Sequence, residues 1–216
     1  MNIVLIGPAF PLRGGIADFN EALANALIAA GHTVRIHSFY LQYPRLLFPG
    51  KSQYATAGTT GPALDIRPTI GSVHPWSWFK TARQVMEFKP DLVIVRYWLP
   101  FMGPALGTIA RRLRKCGIRV IAITDNVLPH EQRPGDAALT KYFVRSCDAF
   151  VAMSQSVLDD LSRFTDNPYR AFLPHPVYDI FGKTLSKSEA RQRLGIPNDQ
   201  RLVLFFGFIR KYKGLD

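Results

Sequence analysis

Short apolar runs alternate along this chain with segments of helical periodicity. Residues 3–7 (IVLIG) are continuously apolar and β-rich, as expected for a strand covered on both faces. Residues 16–30 place apolar side chains at helical spacing, and Gly31 follows as a stop signal before the β-branched run that begins at Thr33. The pattern predicts an α/β fold with a Rossmann-like, doubly wound parallel sheet.

The same alternation continues to the end of the chain. Ser154 has the position of a helix N-cap, and the S-K-S-E sequence at residues 186–189 is typical of a capping box. We predict further strands at residues 63–67, 91–98, 118–124, 149–153, 170–177 and 202–208. We predict further helices at residues 76–88, with Phe79 on the buried face, and at 102–115, 137–145, 155–164 and 189–195.

The adjacent glycines Gly14 and Gly15 end the loop after the first strand. This loop holds two prolines and lacks the G-x-G-x-x-G spacing of a dinucleotide-binding turn. A glycine loop at a helix N-terminus favours anions and lets a ligand approach the backbone, but paired glycines can also simply turn the chain. Ligands of α/β sheets bind beyond the carboxyl ends of the strands, which here are the loops 8–15, 96–103, 125–136 and 173–178.

Composition sets limits on function. The 216 residues are 47% hydrophobic, enough for a core, and the two cysteines, Cys116 and Cys147, form no disulfide or metal pattern. The first strand leaves no room for a secretory signal and no apolar run spans a membrane, so we expect a cytoplasmic protein. The net charge of +11 suits nucleic acid, anionic lipid or anionic small molecules, but no nucleic-acid motif accompanies it. We therefore predict no nucleic-acid partner.

Two basic segments raise the hypothesis of a peripheral contact with an anionic membrane. Residues 111–115 hold three arginines and a lysine, which suit either a lipid-facing patch or the negative end of a helix dipole. Residues 40–51 mix aromatic, aliphatic and basic side chains, which suits either a membrane interface or a loop packed on its own domain. The sequence leaves both alternatives open.

The motifs in order resemble the N-terminal domain of GT-B glycosyltransferases, in particular the retaining family four. The resemblance rests on the strand, the proline loop with Gly14 and Gly15, the G-H-x-V run at residues 31–34, and LPHPVYDIF at residues 173–181. Residues 202–216 resemble the first strand and loop of the second GT-B domain, with Gly207, Arg210, Lys213 and Gly214 in a G…R…K-G pattern, although a basic tail is the alternative. We therefore predict an acceptor-side domain at residues 1–198 and the start of a nucleotide-sugar domain at 199–216.

The resemblance implies transfer of a sugar from a nucleotide-diphosphate sugar to an acceptor hydroxyl, with retention and without a metal or further cofactor. The acceptor would be a glycan or a lipid-linked molecule, in the synthesis of a cell-surface or lipid-linked glycan. The protein would be cytoplasmic or peripheral on the inner face of the membrane. The site residues that we predict fall into three sets: catalytic Asp125 and His130; donor-binding Gly14, Gly15, Arg210 and Lys213; and acceptor-binding Arg13 and Asn126. For Arg13 and His130, an exposed side chain without a role in the site is the alternative.

Two alternatives stay open. One is a GT-B-like sugar-nucleotide epimerase, and the other is a non-catalytic basic binding module. Because the paired-glutamate motif of the second GT-B domain has no counterpart within these residues, we expect the 216 residues to belong to a longer protein and to be inactive alone.

Overall fold

A parallel sheet organises the first of two units into which the chain divides, Met1–His175 and Pro176–Asp216. The computed structural model describes residues 1–44, 52–56, 58–129, 133–176 and 182–205. Within these residues the sheet has seven strands in the order β3-β2-β1-β4-β5-β6-β7, and every neighbouring pair is parallel. The order reverses between β1 and β4, which confirms the predicted Rossmann-like, doubly wound sheet.

The elements follow the predicted alternation. The strands are β1 Asn2–Ile6, β2 Thr33–Leu41, β3 Ile66–Gly71, β4 Leu92–Tyr97, β5 Arg119–Thr124, β6 Ala149–Ala152 and β7 Arg170–Phe172. The helices are α1 Gly15–Ala29, α2 Pro75–Glu87, α3 Gly103–Lys115, α4 Asp136–Val144, α5 Gln155–Ser162 and α6 Lys187–Leu194, with a 3₁₀ turn at Pro100–Met102. The helix α6 belongs to the second unit and the others to the first.

Alternate side chains of β1 enter two different apolar clusters. Ile3 and Leu5 pack with Ala24 of α1, whereas Val4 and Ile6 belong to a larger cluster that includes α2, α3, α4 and α5. Side chains of successive strand residues point to opposite faces of a sheet, so both faces of β1 are buried. This explains why residues 3–7 read as an uninterrupted apolar run.

Local signals in the sequence set several element ends as predicted. Gly31 has φ +84° directly after α1. Ser154 caps α5 by accepting the Val157 N–H at 3.3 Å, and Ser186 caps α6 in a complete capping box with Glu189. These predictions are confirmed.

Three predictions of elements need correction. The strand β3 occupies residues 66–71 rather than 63–67, because those residues lie beside residues 36–41 of β2 and its edge position tolerates Pro68. The strand β7 ends at Phe172 rather than continuing to residue 177. The side chain of Phe79 is exposed, because α2 buries Thr81, Ala82 and Val85 instead.

Residues 202–205, the described part of the strand predicted at residues 202–208, form no strand. Residues 201–205 have no strand assignment, and Val203 is 96% exposed. A strand needs the backbone groups of a neighbouring strand, and within the described residues none pairs with this run. Residues 206–208 lie outside the described residues, and the division into domains at residue 198 stays a prediction.

Candidate functional site

The loop after β1 is fixed by side chains of α1. Asn20 donates its Nδ2–H to the Pro8 carbonyl at 2.8 Å, and Glu21 accepts the Phe10 N–H at 2.7 Å. Burial raises the pKa of the Glu21 carboxyl, although the hydrogen bond from Phe10 opposes the rise. A Cβ atom on Gly7 would lie 2.5 Å from Asn20 Nδ2, so only glycine lets this helix approach the strand end so closely.

Gly14 and Gly15 form an open helix start at the carboxyl edge of the sheet. Gly14 is the N-cap of α1 with φ +121°, and it offers no side-chain cap. Among the described residues, no atom lies within 4 Å of the position that a Cβ atom would take on either glycine. The space around the pair, together with the positive end of the helix dipole, is the geometry in which a ligand can reach the backbone. Asp18 lies in the first turn of the same helix.

Arg96 and Asp125 form a buried ion pair at the same edge. Arg96 is the last but one residue of β4 and Asp125 follows β5 directly, so the parallel register brings the two together. The guanidinium donates Nε–H to Asp125 Oδ2 and Nη2–H to Oδ1, each at 2.5 Å. The Arg96 side chain is 2% exposed and that of Asp125 is 21% exposed. The arginine thus lies beneath the carboxylate, and only the carboxylate reaches the surface.

Two rings complete the cluster around this pair. The guanidinium carbon of Arg96 lies 3.9 Å from the centre of the Phe19 ring, and the ring of His175 meets Phe19 edge-on at 5.2 Å. Burial raises the pKa of the Asp125 carboxyl, while Arg96 and, to a smaller extent, His175 oppose the rise. The ends of β4, β5 and β7 and the start of α1 therefore contribute to one cluster.

The loop that carries Asp125 and Asn126 is anchored from below. The Tyr97 hydroxyl lies 3.0 Å from Thr140 Oγ1, and Thr140 donates to the Val127 carbonyl at 3.1 Å. All three residues are buried. Asn126 lies half-buried between Asp125 and this anchor. The contacts from Tyr97 through Thr140 to Val127 thus join the loop to the end of β4.

The structure brings together Gly14, Gly15, Asp125 and Asn126 at one edge, as the sequence predicts for loops that follow parallel strands. Arg13 lies at that edge too, but its Nε–H donates to the Ser52 carbonyl at 3.2 Å. The predicted residues His130, Arg210 and Lys213 lie outside the described residues. The roles given to all of these residues stay predictions.

Sequence reasoning missed Arg96 as a member of the site. The signal was present: a single arginine interrupts the otherwise apolar strand LVIVRYW, and a buried arginine requires a partner. His175, which lies inside the loop at residues 173–178, was also not predicted as a site residue. Both side chains take part in the cluster around Asp125.

A metal centre finds no support in the described part of the chain. There, no group of three or more His, Cys, Asp or Glu side chains is placed to hold a metal ion. The expectation of a metal-free reaction stays a prediction. The described residues also contain no helix that is both long and apolar enough to cross a bilayer.

The basic run at the end of α3 makes contacts within its own unit. Arg114 pairs with Asp148 at 2.6 Å, and the Arg111 guanidinium lies 4.4 Å from the centre of the Tyr142 ring. Three of the four cations lie in the last helical turn. These contacts favour the helix-terminus interpretation over a lipid-facing patch at residues 111–115.

The described start of the aromatic and basic loop also packs on its own unit. Tyr43 accepts the indole N–H of Trp98 at 2.7 Å, and its ring stacks on that of Phe101. Residues 45–51 lie outside the described residues. The hypothesis of membrane contact through residues 40–51 therefore has no support from Tyr43.

Comparison with models of protein families identifies the family of this chain. The sequence profile described as Glycosyltransferase Family 4 matches residues 13–171. The matched region covers most of the first unit, from the paired glycines to β7. No curated protein matches the chain by sequence.

Comparison with solved structures shows similar folds. MurG of Acinetobacter baumannii has a TM-score of 0.51 at 16% identity, over 85% of this chain and 48% of that chain. The catalytic domain of starch synthase IV from Arabidopsis thaliana, bound to ADP and acarbose, has a TM-score of 0.51 at 13% identity, over 93% of this chain and 60% of that chain. UDP-N-acetylglucosamine 2-epimerase from Rickettsia bellii has a TM-score of 0.52 at 10% identity, over 80% of this chain and 44% of that chain.

These structural similarities show a shared fold and no more. Each identity is at or below 16%, and the chain spans between 44% and 60% of the length of these three proteins. Their folds agree with the Rossmann-like sheet described above.

Proposed function

Because the chain belongs to glycosyltransferase family 4, we propose that it forms the acceptor side of an enzyme that transfers a sugar from a nucleotide-diphosphate sugar to an acceptor hydroxyl with retention. The resemblance to GT-B glycosyltransferases that the motifs indicate is confirmed at the level of family and fold. The observation that carries the proposal is that the glycine pair at the start of α1 and the Arg96–Asp125 pair lie at the same edge of the sheet, where α/β proteins bind ligands.

In this proposal, Gly14 and Gly15 let the donor sugar approach the start of α1. No atom of the described residues lies within 4 Å of the position that a Cβ atom would take on either glycine, which gives a sugar ring space beside the backbone. Asp18 in the first turn adds a negative charge, which disfavours a phosphate there and suits hydroxyl groups that donate hydrogen bonds. The glycine pair therefore faces the sugar rather than the diphosphate.

Asp125 acts as a fixed acceptor for a sugar hydroxyl. Each of its carboxylate oxygens already accepts one hydrogen bond from Arg96, which fixes the direction of the remaining lone pairs. Asn126 can bind a second hydroxyl beside it, on the acceptor side, together with Arg13. The structure supports this arrangement through the partial exposure of Asp125 above a buried arginine.

The bond between the anomeric carbon and the diphosphate breaks in this reaction, and negative charge develops on the departing diphosphate. Arg210 and Lys213, which the sequence assigns to the donor side, supply positive charge for it without a metal or further cofactor. His130 would contact the transferred sugar. We place the reaction in the cytoplasm, with a cell-surface or lipid-linked glycan as the acceptor.

A sugar-nucleotide epimerase is the second candidate, because the epimerase of Rickettsia bellii shares the fold. Family membership favours the transferase. An epimerase inverts a carbon of the donor sugar, whereas a transferase breaks the bond to the diphosphate. Proton spectra of the sugar therefore separate the two reactions.

The experiment incubates the full-length product of the gene that encodes this chain with UDP-, GDP- and ADP-sugars and an extract of cellular lipids and glycans. We expect release of the nucleoside diphosphate from one donor and a new glycoside with the anomeric configuration of that donor. An epimerised sugar nucleotide without a glycoside would favour the second candidate. No consumption of any donor would contradict both.

A further inference from the structure

A cavity of about 390 Å³ lies at the edge of the sheet opposite to the candidate functional site. Arg35 and Arg67, which line it, stand near the starts of β2 and β3, and the lining residue Glu87 ends α2 shortly before β4 begins. The cavity therefore lies beside the amino ends of the strands. Its volume is at the lower end of the range for ligand pockets, which suits a small molecule.

Two buried polar atoms in the wall of the cavity have no hydrogen-bond partner among the described residues. They are His37 Nε2 and Gln84 Oε1. His37 is 1% exposed, and its other ring nitrogen, Nδ1, lies 3.0 Å from Thr69 Oγ1. In either tautomer Nε2 needs a partner of its own, as a donor or as an acceptor. Buried polar atoms without partners cost free energy, and a ligand that pairs with both offsets that cost.

Two guanidinium groups also belong to the wall. Arg35 and Arg67 donate their Nε–H groups to the carboxylate of Asp65, at 2.7 Å and 2.6 Å. Both bonds use Nε, so the ion pairs do not require the terminal Nη groups. The Arg35 guanidinium carbon lies 4.3 Å from the centre of the Phe88 ring, which holds this side chain against the end of α2.

The carboxylates around the cavity do not cancel the positive charge. Asp65 is shared between Arg35 and Arg67, and Glu87 pairs with Arg83 at 3.2 Å. Among the lining residues and their ion-pair partners, three arginines therefore stand against two carboxylates. An anionic ligand suits this balance of charge.

The strand register places three hydrogen-bonding side chains of the wall on one face of the sheet. Arg35 and His37 are two positions apart in β2, and Arg67 lies opposite His37 in β3. Alternate residues of a strand share a face, so the three side chains lie on the face against which α2 packs. Three separate donors match the three terminal oxygens of a phosphate monoester, whereas a carboxylate offers only two oxygens.

We propose that this cavity binds a small phosphate monoester that also carries hydroxyl groups. The phosphate oxygens accept hydrogen bonds from Arg35, Arg67 and the Nε2–H of His37. A hydroxyl group of the same molecule donates to Gln84 Oε1. The cavity and Asp125 lie at opposite edges of the sheet. The inference therefore does not depend on sugar transfer.

The test is isothermal titration calorimetry of the full-length protein in a buffer free of phosphate. The probes are glycerol 3-phosphate, inorganic phosphate and glycerol. We expect glycerol 3-phosphate to bind, inorganic phosphate to bind at least about tenfold more weakly, and glycerol to give no measurable heat. Saturation of the protein with a nucleoside diphosphate should leave the affinity for glycerol 3-phosphate unchanged.

Variants assign the binding to the cavity. Arg67→Gln removes one guanidinium and should weaken the binding of glycerol 3-phosphate at least about tenfold. The matched control is Arg163→Gln, because Arg163 is 63% exposed where Arg67 is 58% exposed, and each pairs with an aspartate. Gln84→Met removes the unpaired amide oxygen at similar side-chain length. It should lower the affinity for glycerol 3-phosphate to that for inorganic phosphate, without a fall in the melting temperature.

Three results would overturn the proposal. If glycerol 3-phosphate does not bind at millimolar concentration, ordered water is the partner of His37 Nε2 and Gln84 Oε1. If Arg67→Gln binds it as tightly as Arg163→Gln does, the phosphate lies elsewhere on the protein. If inorganic phosphate binds to the wild type as tightly as glycerol 3-phosphate does, no hydroxyl group is recognised at Gln84. None of these measurements depends on the transfer of a sugar.

Discussion

The Arg96 guanidinium holds the Asp125 carboxylate through two hydrogen bonds of 2.5 Å, joining the end of β4 to the loop after β5. Arg96 Nη1 is buried and has no hydrogen-bond partner among the described residues. Burying an arginine costs free energy that the ion pair offsets only in part. The pair therefore orients Asp125 more than it stabilises the fold.

Removal of one partner should destabilise the protein. Asp125→Asn leaves the Arg96 charge buried against a neutral amide, so we expect a loss of about 3 kcal/mol in the free energy of unfolding. The measurement is urea denaturation followed by circular dichroism. Arg96→Met added to Asp125→Asn removes the uncompensated charge and should recover part of the loss.

A surface ion pair provides the matched control. Arg83 and Glu87 are both largely exposed, so Glu87→Gln should change the free energy of unfolding by at most about 0.5 kcal/mol. Equal effects of Glu87→Gln and Asp125→Asn would show that burial of the Arg96–Asp125 pair has no energetic consequence.

Gly7 should not tolerate a side chain. A Cβ atom there would lie 2.5 Å from Asn20 Nδ2 and 2.9 Å from Arg96 Cβ, both in buried residues. We expect Gly7→Ala to lower the free energy of unfolding by about 2 kcal/mol through overpacking. Gly15→Ala, with open space around its Cβ, is the control and should melt at the wild-type temperature. Equal melting temperatures for both variants would contradict the predicted clash.

Thr140 should be essential to the anchor beneath the Asp125 loop. Thr140→Val removes the hydroxyl that contacts Tyr97 and the Val127 carbonyl, leaving two buried polar groups unpaired. We expect a loss of about 2 kcal/mol in the free energy of unfolding. Thr108→Val, which breaks a partly buried contact with the Tyr142 hydroxyl, should cost clearly less. An equal loss in the free energy of unfolding for Thr140→Val and Thr108→Val would contradict a special role of Thr140 in holding this loop.

His37 should make the stability depend on pH. The pKa of this imidazole is lowered to about 4, mainly by burial and in addition by the charges of Arg35 and Arg67, while Asp65 opposes the shift. In the unfolded chain this imidazole binds a proton near pH 6.5. The contribution of the neutral imidazole to the free energy of unfolding is therefore complete above that pH, and it is lost as the pH falls toward 4. Between pH 7 and pH 5 the loss should be about 2 kcal/mol.

The comparison uses His37→Asn, which keeps a polar partner for Thr69 but does not titrate in this range. The difference in free energy of unfolding between wild type and His37→Asn should shift by the stated amount between the two pH values. If this difference is the same at pH 7 and at pH 5, the imidazole of His37 titrates alike in the folded and the unfolded protein, and the prediction is wrong.

Most of the fold could be predicted from local patterns. The strands β1 and β4 are apolar runs, α1 ends at Gly31, and the caps Ser154 and Ser186 mark their helices. The edge strand β3 was misplaced, because its position depends on the register with β2, which the local sequence does not encode. The exposure of Phe79 follows from which face of α2 meets α3 and β3, also a long-range property.

The sequence predicts at which edge of the sheet the site lies, but not which side chains contact each other there. Loops after parallel strands meet at one edge, which placed Gly14, Gly15, Asp125 and Asn126 together. The ion pair of Asp125 with Arg96 joins residues that are 29 positions apart, and no spacing rule reveals it. A buried arginine in an apolar strand was the available signal.

The most direct test of the site measures sugar transfer by the full-length protein with Gly15→Ala. The added methyl group should occupy the space left for the donor sugar without disturbing the fold. We predict a loss of about 100-fold in kcat/KM at an unchanged melting temperature, because misplacement of the reacting group by a methyl width has effects of that size. Wild-type kcat/KM in a normally folded Gly15→Ala protein would contradict the central claim that sugar transfer takes place at this glycine pair.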